Sequence, residues 1–96
     1  MLESTVEKRL CKKVKNELHG LALKFISPGL SGVPDRIVLL PGGRIFFVEL
    51  KAPGKDRRKL QKWVGEKIES LGFKVLTIDT PEKVDDYIRE VREDGI

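Results

Sequence analysis

The sequence predicts a single α/β domain that spans residues 1–96. Three observations indicate this fold class: apolar residues recur at helical spacing in three segments, short apolar runs lie between them, and Gly or Pro residues separate the segments. A chain of this length allows one hydrophobic core and no second domain. Hydrophobic residues make up 40% of the chain and charged residues 35%, which is the balance of a folded protein rather than a disordered one.

The first half of the chain predicts one helix and three strands. The helix is expected over 3–19, where apolar side chains recur every three or four positions and Gly20 ends the pattern. Strands are expected at 21–27, 35–40 and 44–51, since each of these runs lies between Gly or Pro residues.

The second half predicts a helix, a strand and a last helix. Asp56 is a suitable N-cap for a helix whose apolar face includes Trp63. A fourth strand is expected at 73–78, and Thr80 is placed to cap a last helix that ends near Glu93. The predicted order is therefore α-β-β-β-α-β-α.

The loop between the second and third strands predicts their register. If residues 41–43 form a three-residue loop, built on a type I turn with Gly43 in the left-handed conformation, the numbers of paired residues sum to 84. Asp35 then lies directly opposite Glu49. A two-residue loop would give a sum of 85 and would send these two acids to opposite faces of the sheet.

In the first register, two carboxylates and a lysine share one end of a sheet face. The Cβ atoms of Asp35 and Glu49 are expected about 4.5–5.5 Å apart, and Lys51 lies on the same face because it is two residues beyond Glu49. Facing carboxylates repel each other, so their burial requires a compensating positive charge. The rest of this face is apolar and is expected to form the core: Ile37, Leu39, Ile45 and Phe47.

This cluster has a chemical use as well as a structural explanation. Mg²⁺ typically binds one or two carboxylates together with water and phosphate oxygens, and Lys51 could help to deprotonate the attacking water or stabilise the transition state as a point charge. The cluster therefore predicts metal-assisted phosphodiester hydrolysis. The alternative is a surface salt bridge at the end of a hairpin.

The distribution of charge indicates a polyanionic partner. The formal net charge is +4, while the stretch from Glu82 to Asp94 carries six acids and three bases. A dense basic segment predicts phosphate contacts, although it could also be a solvated helix start. Its cations, set against Asp56 alone, are Lys51, Lys55, Arg57, Arg58, Lys59 and Lys62. A small-residue loop that contains Ser27, Gly29 and Ser31 offers a second close approach to phosphates, or an ordinary turn.

Several classes of protein are not expected. The single Cys11 gives neither an internal disulfide nor a cysteine zinc site, and the single His19 gives no histidine cluster. No apolar run approaches the length of a membrane span, and the N-terminus is too charged for a signal peptide. We expect a cytoplasmic protein, or one that works in the cytoplasm of a host, with no membrane partner and no small-molecule cofactor.

The motif around these acids resembles a known nuclease superfamily. Pro34-Asp35, with Glu49-Leu50-Lys51 starting fourteen positions after Asp35, resembles the PD-(D/E)XK signature. Within that superfamily, the stretch "SPGLSGVPDRIVLLPGGRIFFVELKAPG" is similar to the virus-type replication-repair nuclease (VRR-NUC) family. The resemblance implies a restriction-endonuclease-like αβββαβ core, in which a mixed central sheet is flanked by helices, with an additional C-terminal helix.

The same resemblance implies an activity and assigns roles to residues. It implies cleavage of branched DNA, including four-way junctions, that depends on Mg²⁺ or Mn²⁺. Asp35 and Glu49 would hold the metal with the Leu50 carbonyl and Glu7 of the first helix, Lys51 would be the catalytic lysine, and Gln61 matches the glutamine of the family's second helix.

A four-way junction has two-fold character and one chain supplies one site, so a homodimer is expected. Its surface is predicted at the outer face of the first helix and at the first strand (Leu21, Leu23 and Phe25). Nucleases for flaps, ends or single strands remain alternatives, as do a non-catalytic nucleic-acid-binding module and an interaction domain.

Overall fold

The structure, a computed structural model, describes residues 3–51 and 59–93. The elements follow the predicted order: α1 (Glu3–Leu18), β1 (Leu21–Lys24), β2 (Arg36–Leu40), β3 (Arg44–Leu50), α2 (Lys59–Ser70), β4 (Lys74–Ile78) and α3 (Pro81–Glu93). The first strand is shorter than predicted, and Asp56, the predicted cap of α2, lies outside the described residues. In the two described ranges, no helix is long and apolar enough to cross a membrane.

The four strands form one mixed sheet in the order β1-β2-β3-β4. The first two pairs are antiparallel, and β3 pairs with β4 in parallel across the crossover that contains α2. The mixed sheet with flanking helices confirms the restriction-endonuclease-like fold that the resemblance implies.

The main core lies between one face of this sheet and helices α1 and α3. Alternate residues of the strands point into it, so Val38, Val48 and Leu50 are buried against α1 and α3. The predicted apolar stripes of the two helices are confirmed, because all of these residues are buried: Val6, Leu10, Val14 and Leu18 of α1, and Val84, Ile88 and Val91 of α3.

The prediction that Ile37, Leu39, Ile45 and Phe47 form the core is wrong. These residues lie on the opposite face, where they are only partly buried and Ile45 is 37% exposed. Strands β2 and β3 carry apolar side chains on both faces of the sheet. The alternation of side chains therefore did not show which face packs against α1 and α3. Helix α2 lies on this second face of the sheet and packs mainly on β4, and its residue Val64 is buried.

The hairpin between β2 and β3 has the predicted register. Ile37 pairs with Phe47 and Leu39 with Ile45, so the paired numbers sum to 84. The predicted type I turn is wrong, however, because Gly42 has a positive φ of 83° and Gly43 one of 77°. A positive φ at the residue after Pro41 is the requirement of a type II turn.

Helix α3 is fixed to α1 by charge as well as by the core. Thr80 caps α3 as predicted, since its Oγ1 accepts a hydrogen bond from the Lys83 amide at 3.2 Å. Asp85 accepts two hydrogen bonds from Arg9, at 2.9 and 2.8 Å, and lies 2.9 Å from Lys13. These partners hold the pKa of the Asp85 carboxyl below its usual range.

The loop that follows β1 packs directly against α2 at a glycine. Gly32 has a φ of +87°, and a Cβ at this position would lie 2.9 Å from the Leu60 side chain. No other residue type combines this backbone conformation with this close approach at low cost. Gly32 therefore fixes the position of the loop that leads into Asp35.

We expect Gly32→Ala to lower the free energy of unfolding by about 1–3 kcal/mol, because alanine is strained at positive φ and its methyl group crowds Leu60. Urea unfolding checks this. Gly29→Ala is the matched control, since a Cβ at Gly29 meets nothing within 4 Å. Equal stability of the two variants would contradict the prediction.

Candidate active site

The acidic pair lies where β2 begins and β3 ends. Asp35 immediately precedes β2, and Glu49 is the penultimate residue of β3. The β2–β3 register, continued by one pair beyond Arg36 and Val48, places these residues opposite each other, and the nearby Asp35 carboxyl is one cause of the raised pKa of Glu49. The structure thus brings together the two carboxyl groups that the three-residue loop predicts to face each other.

Backbone hydrogen bonds fix the position of each residue in this cluster. The Leu50 amide donates to Oδ2 of Asp35 at 2.7 Å, and the Asp35 carbonyl accepts from the Phe25 amide at 2.9 Å. The Lys51 amide donates to the Ile78 carbonyl at 3.1 Å, which continues the parallel pairing of β3 with β4. Asp35 is therefore held by two other segments of the chain, and its carboxylate is aligned by a strand that follows it in sequence.

A glutamine of α2 connects the lysine to the acid. Lys51 Nζ donates to Oε1 of Gln61 at 2.7 Å, and Gln61 Nε2 donates to Oε1 of Glu49 at 3.1 Å. Lys51 Nζ also lies 3.6 Å from the same oxygen of Glu49. The amide of Gln61 thus presents its oxygen to a cation and its nitrogen to a carboxyl group, which fixes the orientation of both side chains.

The electrostatic environment of Glu49 is unusual for a surface hairpin. Glu49 is 1% exposed, and the pKa of its carboxyl is raised to about 8, with burial as the largest cause. The neighbouring Asp35 carboxyl contributes to this increase, while Lys51 offsets part of it. Near neutral pH, a proton therefore resides on the acidic pair when no other cation is bound.

The donor set fits a hard divalent cation with few protein ligands. Two facing carboxyl groups, one of them almost fully buried, provide the oxygen ligands that Mg²⁺ prefers. Within 3–51 and 59–93, no group of three or more His, Cys, Asp or Glu side chains is placed to hold one ion. The remaining positions of such an ion would be filled by backbone carbonyl, water or phosphate oxygens.

Glu7, the acid predicted on the first helix, is engaged elsewhere. Its Oε2 accepts a hydrogen bond from Nε of Arg36 at 2.8 Å, and Nη1 of Arg36 donates to the Ala22 carbonyl at 2.9 Å. The role of Glu7 as a metal ligand stays a prediction. Arg36 was missed by the sequence reasoning, although an arginine at a core-facing position of an apolar strand signals a buried partner.

The predicted DNA contacts divide into described and undescribed residues. Lys59 and Lys62 are exposed on the first turn of α2 next to Gln61, and Gly29 is exposed on the loop between β1 and β2. Lys55, Arg57 and Arg58 lie outside the described residues.

Trp63 departs from the prediction that it belongs to the apolar face of α2, because it is 57% exposed. The residues of α2 that are buried are Val64 and Gly65. The face of α2 that contacts the sheet is thus narrower than the stripe of apolar residues in its sequence.

Comparisons with known proteins relate the chain to nucleases. No family model matches the chain. A protein named "Putative nuclease p44", from Acyrthosiphon pisum secondary endosymbiont phage 1, is 44% identical over 78 residues, which cover 81% of this chain and 83% of the relative. A solved structure described as "VRR_NUC domain" is similar with a TM-score of 0.84 and 32% identity, over 91% of this chain and 94% of that one.

The raised pKa of Glu49 predicts how stability depends on pH in metal-free buffer. An unfolded chain ionises Glu49 near its ordinary value of 4.5, whereas the folded chain retains the proton up to about pH 8. The folded state therefore binds more protons in this window, so stability is greatest below pH 4.5 and falls as the pH rises to 8. We expect a loss of no more than about 5 kcal/mol from this group.

Glu49→Gln removes the titrating group, so its free energy of unfolding in EDTA should lack this decline and exceed the wild-type value at pH 8. Urea unfolding of both proteins from pH 5 to pH 8 measures the difference. Parallel curves for the two proteins would show that Glu49 ionises normally in the folded state.

Proposed function

Because the chain belongs to the VRR_NUC nuclease family, we propose that it is a DNA endonuclease that hydrolyses phosphodiester bonds with Mg²⁺ or Mn²⁺. The observation that carries this proposal is the connected network of Asp35, Glu49, Lys51 and Gln61. A purely structural hairpin end has no need to bury an acid beside a second acid. A non-catalytic binding module would be weakened by two acids that face a polyanion.

The acidic pair is proposed to hold the metal. Asp35 and Glu49 would supply side-chain oxygens, and we assign a further ligand to the carbonyl of Leu50, whose amide aligns Asp35. A bound divalent ion would neutralise the charge that develops on the phosphoryl oxygens. Glu7 is retained as a further ligand, directly or through water, on the strength of the family resemblance.

Lys51 is proposed as the catalytic lysine and Gln61 as the residue that positions it. The Lys51 ammonium is largely buried and points into the site, where it can place a positive charge against a phosphate or exchange a proton with water. Gln61 holds the ammonium at 2.7 Å and the carboxyl of Glu49 at 3.1 Å. Without Gln61, Lys51 would lose its hydrogen bond at 2.7 Å and keep only the contact with Glu49 at 3.6 Å, so its ammonium would be less firmly oriented.

The basic start of α2 and the loop between β1 and β2 are proposed to bind DNA. Lys59 and Lys62 are exposed on either side of Gln61 in sequence, so phosphates bound there lie close to the acidic pair. We assign the same role to Lys55, Arg57 and Arg58, and to Ser27, Gly29 and Ser31 of the loop.

We propose a homodimer that resolves four-way junctions, since two coupled cuts require two sites at a fixed spacing. The part of the second sheet face that belongs to β1 carries exposed leucines, with Leu21 57% and Leu23 45% exposed. Leu39 of β2 lies between Leu21 and the exposed Ile45 of β3. The outer face of α1 lies on the other side of the sheet, so the structure separates the two surfaces that the sequence suggested. The acidic α3 would repel its own copy.

The phage origin of the relative supports a host cytoplasm as the place of action.

We expect Asp35→Asn, Glu49→Gln and Lys51→Ala each to reduce DNA cleavage by at least about 100-fold, because each removes a metal ligand or the catalytic charge. The assay uses labelled junction, flap, duplex and single-stranded DNA with Mg²⁺ or Mn²⁺, and it also separates junction resolution from the flap, end and single-strand alternatives. Lys67→Ala, an exposed lysine on α2, is the matched control. Full activity of any of the three variants on the best substrate would refute the assignment.

Replacing Lys59 and Lys62 with alanine should weaken binding to every DNA and reduce the slope of log affinity against log salt by about one for each lost phosphate contact. Fluorescence anisotropy in EDTA measures this slope without cleavage. Alanine at Lys67 and Lys74 serves as the control. An unchanged slope in the Lys59/Lys62 variant would place the DNA elsewhere.

A stable dimer buries roughly 800 Å² on each partner, so lysines at Leu21 and Leu23 should dissociate it. We expect sedimentation of the wild type at about twice the chain mass of 10.9 kDa and of the variant at the monomer mass, with nicking retained and paired junction cuts lost. Leu71→Lys, at an exposed leucine of the chain after α2, should remain dimeric. A wild type that sediments only as a monomer would contradict a dimer formed in the absence of DNA.

A further inference from the structure

A groove of about 400 Å³ lies beside the acidic pair, between the loop that follows β1 and the first turn of α2. Its walls are apolar and consist of Ile26, Leu30 and Leu60, while Ser27 and Ser31 line the same groove. The volume is within the range of 300–1,000 Å³ that is common for small-ligand sites. We call it the lateral groove.

The lateral groove is continuous with the candidate active site. Gln61 lines the groove, and the same side chain contacts Lys51 at 2.7 Å and Glu49 at 3.1 Å. On the other wall, Phe25 donates its amide proton to the Asp35 carbonyl. A nucleotide whose phosphate lies at the acidic pair therefore has the lateral groove next to it.

The apolar side chains of the groove, unlike its two serines, do not suit a phosphate. Ile26 is 72% exposed, and Leu30 and Leu60 are also exposed, so its surface is apolar and in contact with solvent. Lysines at positions 59 and 62, on the rim formed by α2, are placed to hold the backbone on either side. A flat apolar ring with polar edges, attached to a charged backbone, complements this combination of apolar walls, hydroxyl groups and cationic rim.

The loop wall is held in place rather than formed on binding. Gly32 brings the loop backbone against Leu60, and the Leu30 amide donates to the Ser27 carbonyl at 3.2 Å. The two walls therefore have a defined separation before DNA arrives, which favours binding because less ordering is required.

We propose that the lateral groove receives one unstacked nucleobase next to the scissile phosphate. This inference rests on the proposed function and adds a source of substrate selectivity to it. A base in an intact duplex must lose its stacking and pairing to enter, at a cost of a few kcal/mol, whereas a base at a branch point or in a single strand has already lost much of both. The groove would thus favour branched DNA without any contact that reads sequence.

The first test combines a protein change with a DNA change. The substrate is a four-way junction with either a normal or an abasic nucleotide next to the mapped cut, placed first on one side of the cut and then on the other. The wild type and the Ile26→Ala/Leu30→Ala double variant are compared on both substrates. At the correct flank, each change alone should lower the rate about tenfold, and the two together no further, because they remove the same contact. A multiplicative loss of about 100-fold, or no loss from the double variant, would overturn the proposal. Leu71→Ala, at an exposed leucine outside the groove, is the matched control.

The second test needs neither metal nor cleavage. The wild type in EDTA is titrated onto a junction that carries 2-aminopurine at the same position, whose fluorescence rises when the base leaves the stack. At saturating protein, we expect the increase in 2-aminopurine fluorescence to be at least twofold smaller with the double variant than with the wild type. An equal increase with the two proteins would overturn the proposal. A wild type that raises the signal but cuts no DNA would refute the proposed function and still support the groove.

A third measurement separates the proposal from a protein partner. If the double variant changes the sedimentation of the free protein but not the 2-aminopurine signal, the groove is covered by a second copy of the chain, and the proposal is overturned. Unchanged sedimentation with a reduced signal supports the nucleobase as the occupant.

Discussion

The register between β2 and β3 is the constraint on which the site depends. A loop of three residues makes paired positions sum to 84, and this places Asp35 beside Glu49 at the end of the hairpin. A shift of one residue would move one of the acids to the face that packs against α1 and α3, where an uncompensated carboxylate is strongly unfavourable. The backbone of the turn, which requires positive φ at Gly42, therefore determines the chemistry some 20 Å away along the strands.

The acidic pair is costly in isolation, and the surrounding residues reduce this cost only in part. Lys51 and Gln61 satisfy one oxygen of Glu49, and the Leu50 amide satisfies one of Asp35. What remains is a carboxyl group whose pKa is raised to about 8 by burial and by its neighbour. A fold selected for stability alone would place a neutral side chain there, and the proposed metal ion would offset the residual cost.

Local rules predicted the order of elements, the register and the identity of the acidic pair, because loop length and strand alternation act over short distances. They failed where the outcome depends on distant segments. Trp63 fits the apolar stripe of α2, yet the sheet offers α2 a narrower surface than that stripe. The pairing of Glu7 with Arg36 joins residues 29 positions apart. The lateral groove is formed by two segments that no sequence pattern connects.

The hydrogen bond between Lys51 and Ile78 shows that the two halves of the site depend on different parts of the fold. The β2–β3 hairpin closes a three-residue loop, so contacts that are local in sequence bring the two carboxyl groups together. The backbone of Lys51 is fixed by β4, and its ammonium is oriented by α2. These contacts close much longer loops than the hairpin does. A change that loosens β4 or α2 would therefore disturb the cationic half of the site and leave the acidic half in place.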